Sequence, residues 1–335
     1  MKQTKILITL ITLSSFLSAQ NYYFPVKIQD QYGYIDSCGT VLIPAQFTEA
    51  DFFHESLGKV RLGDRYGFID TTGNIVIEPL FDDAKPFSQG LAAVKTNDDW
   101  GYIDAGGNYV FMPNFLEANS FSDNIAKVKI QNRLGFIPIG QNDAFLSITG
   151  DTLINKPFHR LSSFSEELAE VGKIKTFLLF PTSVKYGFVD KNMNFIIEPK
   201  FDAVGQFKLG LAPFALKGKM GYIDKAGKIV IPNDYIFSFN FSEGLARIKS
   251  EKGFGFINLK GEIKIEPKYQ SAGDFHCGLA KFYHLGKWGY INAKGEEVIL
   301  PQYDFVEDFY FNRALVSKNG RNQIINRQGI VIWPK

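Results

Sequence analysis

The feature that most constrains this chain is a period. The pattern aromatic-Gly-aromatic-Ile-Asp/Asn-x-x-Gly, clearest as Trp288-Gly289-Tyr290-Ile291-Asn292-Ala293-Lys294-Gly295, places its first glycine at Gly33, Gly67, Gly101, Gly135, Gly187, Gly221, Gly255 and Gly289. Every step is 34 residues except that from Gly135 to Gly187, which is 52, and a decayed ninth copy ends in Ile324-Ile325-Asn326-Arg327-Gln328-Gly329. A fixed period of this length means stacked copies of one small unit, each burying its apolar face against its neighbours. Residues 20–335 therefore form one repeat domain of nine units.

Helical repeats share this period, so composition has to choose between helix and strand. In one unit, Gly90 to Lys95, Trp100 to Asp104 and Tyr109 to Phe111 are short apolar runs separated by Gly, Asn and Asp, and no window sustains helical apolar spacing. Each unit is expected to be a three-stranded antiparallel meander followed by a connecting segment, Pro-x-Phe/Tyr-Asp-x-Ala-x-x-Phe-x-x-Gly. The Asp or Asn of the pattern (Asp36, Asp70, Asp104, Asp190, Asp224, Asn258, Asn292) starts a turn by bonding its own backbone, and the Gly three residues on supplies a positive φ. The Gly after the first aromatic, inside a strand, marks a close approach of another backbone or ring. The ends, Tyr23-Phe24-Pro25-Val26 and Val331-Ile332-Trp333-Pro334, leave no strand over to be shared between first and last units. The expectation is an all-β open superhelix or solenoid, with a closed propeller as the alternative, since nine blades exceed the usual four to eight.

Residues 1–19 differ in kind. Lys2 and Lys5 precede the apolar run Ile6–Leu17, and Ser18-Ala19 precede Gln20, the order of a cleavable secretory leader too short to span a bilayer. Cleavage removes two lysines and no acid, so the formal charge falls from +2 to zero. That balance argues against nucleic acid, whose binders carry a basic stripe. No other apolar stretch is long enough to cross a membrane. The product is expected in the periplasm or outside the cell.

The 18 extra residues resolve into two insertions of nine, around 138–150 and 172–185. The second tip carries Phe177, Leu178, Leu179 and Phe180, which either pack on the first insertion or form a contact site for a partner. The aromatic column Tyr32, Tyr66, Trp100, Tyr186 and Trp288 could stack sugar rings. Leu134, Met220 and Phe254 stand at the same repeat position, which favours simple packing. His54 and His276 are repeat-equivalent. His276, Cys277 and His284 lie close in sequence but meet no metal-ligand spacing, and Cys38 and Cys277 are expected to be unpaired. Glu78, Glu198 and Glu266 are copies of one position, not an acid–base pair. No cofactor, metal or catalytic motif is expected.

The recurring Lys-Trp-Gly-Tyr-Ile-Asp/Asn-x-x-Gly, then Val-Ile-x-Pro, then Phe/Tyr-Asp-x-Ala-x-x-Phe-x-x-Gly-Leu-Ala-x-Val, resembles the WG-repeat, or KWG-repeat, proteins found chiefly in bacteria. The resemblance implies an all-β binding or scaffold module and supplies no catalytic residues. The functional expectation is an exported, non-catalytic scaffold for protein–protein contact at the cell envelope, with an envelope-glycan binder as the alternative.

Overall fold

The computed structural model describes residues 23–334 apart from 135–136, 154–159 and 178–179. They form nine separate antiparallel sheets and, among the described residues, no helix. The first is β1 (Phe24–Ile28), β2 (Gln31–Ile35) and β3 (Val41–Phe47). The second is β4 (Glu49–His54), β5 (Leu57–Leu62), β6 (Arg65–Ile69) and β7 (Ile75–Phe81), and the third β8 (Asp83–Ala84), β9 (Ala92–Thr96), β10 (Asp99–Ile103) and β11 (Tyr109–Phe115). Six more four-stranded sheets follow in the same order: β12–β15 (117–153), β16–β19 (160–201), β20–β23 (203–235), β24–β27 (237–269), β28–β31 (271–303) and β32–β35 (305–333). The leader and Leu178-Leu179 lie outside the described residues.

The third sheet shows how the unit is made. The connecting segment, expected to lie beside a three-stranded meander, adds a short fourth strand: Asp83 and Ala84 pair with Lys95 and Val94. It then turns through Gln89 and Gly90, both left-handed, into β9. A second such turn at Asn97-Asp98 leads to β10; two left-handed residues match the twist of paired strands. At the end of β10 the Asp104 carboxylate accepts the N–H groups of Gly106 and Asn108, each at 2.9 Å, and Gly107 has φ +82°, as the pattern predicts. β11 then bulges between Phe111 and Phe115, passing over Gly101. A Cβ at Gly101 would lie 2.6 Å from the Phe111 carbonyl oxygen, which is why side chains are excluded there.

Both faces of each sheet are apolar because each sheet is covered twice. Nine buried clusters join consecutive sheets pairwise: Tyr102 and Leu91 with Phe121 and Val128, for example, or Tyr290 and Tyr303 with Phe309 and Val316. An open array of nine sheets has eight such joins. The ninth cluster joins Phe24, Val26 and Ile35 of the first sheet to Ile324 and Ile332 of the last, with Phe52 and Trp333 packed against it. Phe52 also meets the rings of Tyr310 and Phe311, at 5.7 and 5.8 Å. The arrangement is therefore the closed, nine-bladed propeller and not the open superhelix. The ends meet by side-chain packing across a seam, with no strand exchanged between first and last sheets among the described residues. Closure needs no shared strand where side chains of the two end blades pack into one cluster.

Register corrects the reading of the fourth unit. Val128, the counterpart of Val94, pairs with Ala144, whereas Val94 pairs with Gly101. Ala144, not Gly135, thus holds the place of the pattern glycine. Leu134 pairs with Ile137 at a hairpin tip, so the extra residues precede the motif, between β13 (Ile125–Leu134) and β14 (Ile137–Ser147), where they were expected to follow it. In the fifth blade Gly187 keeps its place opposite Val171, and the insertion lengthens the hairpin of β17 (Ala169–Phe177) and β18 (Phe180–Val189).

Candidate functional site

Because neighbouring strands are antiparallel, turns alternate between the two faces of the ring. Turns of the 89–90 and 105–107 kind share one face, and hairpins of the 97–98 kind share the other. Both insertions lengthen hairpins of the 97–98 kind, in adjacent blades, so they project side by side from one face. Strands of 10 and 11 residues form the first and of 9 and 10 the second, against 5 or 6 in the corresponding strands elsewhere. Phe177 and Phe180 are paired at the tip of the second hairpin.

The opposite face carries a feature that sequence reading missed. At five of the joins between blades a left-handed turn residue of one blade touches those of the next, which only positions near the ring's axis can do. Glu55 accepts the N–H groups of Gln89 and Gly90, at 2.7 and 2.9 Å, and Gln89 accepts from Asn124. Asp123 accepts from Glu167, Glu166 from Gly210 and Glu243 from Gly278. The hydroxyls of Ser88, Ser165 and Ser242 donate to the carbonyls of Phe121, Phe207 and Phe275 in the following blade. The signal was present in the recurrence of Ser-Glu/Asp/Gln before the connecting-segment glycine or its substitute. These acids are acceptors for backbone donors and brace the ring.

The aromatic column is spread one ring per blade, not along a line. Trp100 is 9% exposed inside the cluster between third and fourth blades. Tyr66 is half-buried, donates to Glu49 and lies under Lys59 and Arg61, and Trp288 packs on Tyr283 at 5.1 Å. Tyr32 and Tyr186 are half-buried as well. His276 and His284 flank opposite ends of β29 (Leu279–His284), and His54 is three blades from His276 around the ring. Among the described residues no group of three His, Cys, Asp or Glu could hold a metal ion. Cys38 and Cys277 are free, and Glu78, Glu198 and Glu266 are exposed.

One charge is out of place. The third position of Leu-Ala-x-Val holds Lys59, Lys127, Arg247 and Lys281, paired with Asp51, Asp143, Asp274 and Asp308. In the fifth blade it holds Glu170, 7% exposed, whose partner Arg160 is 3.5 Å away and mostly in solvent. Burial outweighs that arginine and pushes the carboxyl above the usual glutamate range. A raised acid stabilises the fold below its unfolded pKa and loses that contribution as pH rises through the folded value. Glu170→Gln is therefore expected to raise the thermal midpoint at pH 7 and leave it unchanged near pH 4, read by melts across that range.

A hollow also lies at the seam. A cavity of about 620 Å³ lies between first and last blades, lined by β1, Phe52, Leu315, Ile324 and Trp333.

These features place the chain among repeat-built β-propellers. The family model for the WG containing repeat matches seven times, at residues 32–66, 66–98, 100–133, 186–219, 220–252, 254–288 and 288–321. The chain belongs to the WG-repeat family. Between the first and last matches, the long stretch left unmatched, 134–185, is the one that holds both insertions. No curated protein matches the chain in sequence. Among solved structures, a eukaryotic initiation factor is similar in fold, with TM-score 0.62 and 12% identity over 93% of this chain and 95% of that one. Lower similarity is found to the dihydro-heme d1 dehydrogenase NirN (TM-score 0.44, 11% identity, 92% and 75% covered) and to Citrobacter koseri AztD (0.41, 12%, 90% and 95%).

Proposed function

We propose that this propeller is an exported, non-catalytic scaffold that binds another protein at the cell envelope through the face bearing the two long hairpins. The observation that carries the reading is their placement. Two insertions of equal length fall in the same connection of adjacent blades, in a ring whose other units keep one strict length. A repeat that tolerates no change elsewhere has added surface at one place only, and loops that depart from a regular scaffold are where propellers and other repeat folds carry recognition. The column's rings stand one to a blade, an arrangement that supports the scaffold reading over stacking along one glycan.

The test is to restore the short turn. Replacing residues 174–184 by Asn-Gly leaves Lys173 and Lys185 closed by two residues, as Leu216 and Lys219 are by Lys217-Gly218; replacing residues 131–141 does the same in the fourth blade. Both variants should keep the melting temperature of the parent and lose the protein that the parent retains from the envelope fraction of its own host. Retention by both variants would end the proposal. N-terminal sequencing of the exported protein should begin at Gln20.

A further inference from the structure

We propose that the axis-facing edge of β1 is a docking site for an extended peptide strand from another protein, with an acid, a small residue and a phenylalanine spaced as Asp/Glu-small-x-x-Phe. The other eight blades show what belongs there. Each opens with a short strand on the edge that β1 leaves bare, and β1 has only β2 beside it among the described residues. In the third blade that strand donates from Asp82 to the Lys95 carbonyl at 2.9 Å and from Lys85 to the Ala93 carbonyl at 2.8 Å. The same bonds recur from Leu116 and Asn119 to Lys129 and Lys127, and from Asp304 and Glu307 to Ser317 and Leu315. The equivalent acceptors on β1 are the carbonyls of Lys27 and Pro25.

Side chains specify the rest. Ala84 and Phe87 are 2% and 3% exposed, and the Phe87 ring packs on Phe68 of the preceding blade at 4.9 Å. At the seam the corresponding surface is Ile324, and the cavity of about 620 Å³ stands where the small residue and the phenylalanine would go. Phe52 lines that cavity without filling it. Opposite the position of Lys27, Arg61 pairs with Glu49 at 2.7 Å and Lys129 pairs with Glu117. Among the described residues Lys27 thus lacks the acid that Arg61 and Lys129 have.

The chain's own sequence does not carry the pattern at this spacing. Phe16 stands where the small residue belongs and Ala19 where the phenylalanine belongs. The proposal rests on removal of the leader after Ala19, and not on the paired hairpins. Completion of a sheet by an added strand draws affinity from main-chain bonds and specificity from side-chain pockets.

The probe is a fluorescein-labelled, capped peptide Phe-Asp-Asp-Ala-Lys-Pro-Phe-Ser, the sequence of residues 81–88, titrated into the chain of residues 20–335 by anisotropy. Saturable binding is expected. It should weaken at least tenfold when the second phenylalanine of the peptide is alanine, and at least tenfold with Lys27→Glu. A chain with this octapeptide in place of residues 13–20 should bind none, its edge being filled from within. The Asn-Gly hairpin variants should bind as the parent does, so that this idea and the scaffold reading fail separately. No binding to the chain of residues 20–335, or equal binding by the filled chain, would overturn the proposal. So would exclusion of the peptide by a chain that retains its own residues 1–19, because the occupant would then be the leader.

Discussion

Gly289→Ala is expected to cost about 3 kcal/mol of folding stability, a large effect for one methyl group. The added Cβ would lie 2.5 Å from the Ile299 carbonyl oxygen and 2.8 Å from the Pro301 nitrogen. Both are backbone atoms of the bulged outer strand, so no side chain can swing aside and the sheet itself must move. Gly289 has no left-handed φ, so the cost is contact and not torsion. Gly286 makes the control. It has φ +85° and open space within 4 Å of where a Cβ would stand, and alanine there should cost about 1 kcal/mol from torsion alone. Urea unfolding followed by the fluorescence of the three tryptophans reads both. Equal losses in the two variants would mean that the glycine serves turn geometry and not the passage of the bulge.

Phe207→Ala should be as damaging, about 4 kcal/mol, because its ring is wholly buried, packs on Phe188 at 4.7 Å and leaves a cavity between blades that cannot collapse. Phe52→Ala, by contrast, should cost only about 1 kcal/mol: the ring is half-buried and already borders open space. The pair measures the seam against an ordinary join. A Phe52→Ala variant with unchanged stability would show that the ends do not hold each other, and a loss as large as that of Phe207→Ala would show a seam packed like any other blade interface.

The period, the strand content and the turns built on Asp36, Asp70, Asp104 and their copies were legible because each follows from a local rule acting on a few adjacent residues. Closure was not. It depends on the angle that each buried cluster sets between two sheets, a small quantity multiplied around the ring, and no single unit encodes it. The fourth unit misled for a different reason. Leu134-Gly135-Phe136-Ile137 imitates the motif, while the residues in the true register, Asp143-Ala144-Phe145-Leu146, have lost its glycine and its aromatic start. Only pairing with Lys129 to Ala126 tells them apart. The chain of turn contacts from Glu55 to Gln89 to Asn124 was hidden because partners 34 residues apart become neighbours only once the blades curve round an axis.

Among the described residues side chains alone fasten the ring across its seam, and that makes the seam a hinge line. Pulling the first blade away from the last separates Phe24, Phe52, Ile324 and Trp333 but breaks no ladder of main-chain bonds, whereas opening any blade from within breaks several. Under mechanical load or in denaturant, the molecule therefore has a preferred place to come apart and a direction in which to unroll. The blades then leave in order from either end, each still folded until its last neighbour is gone.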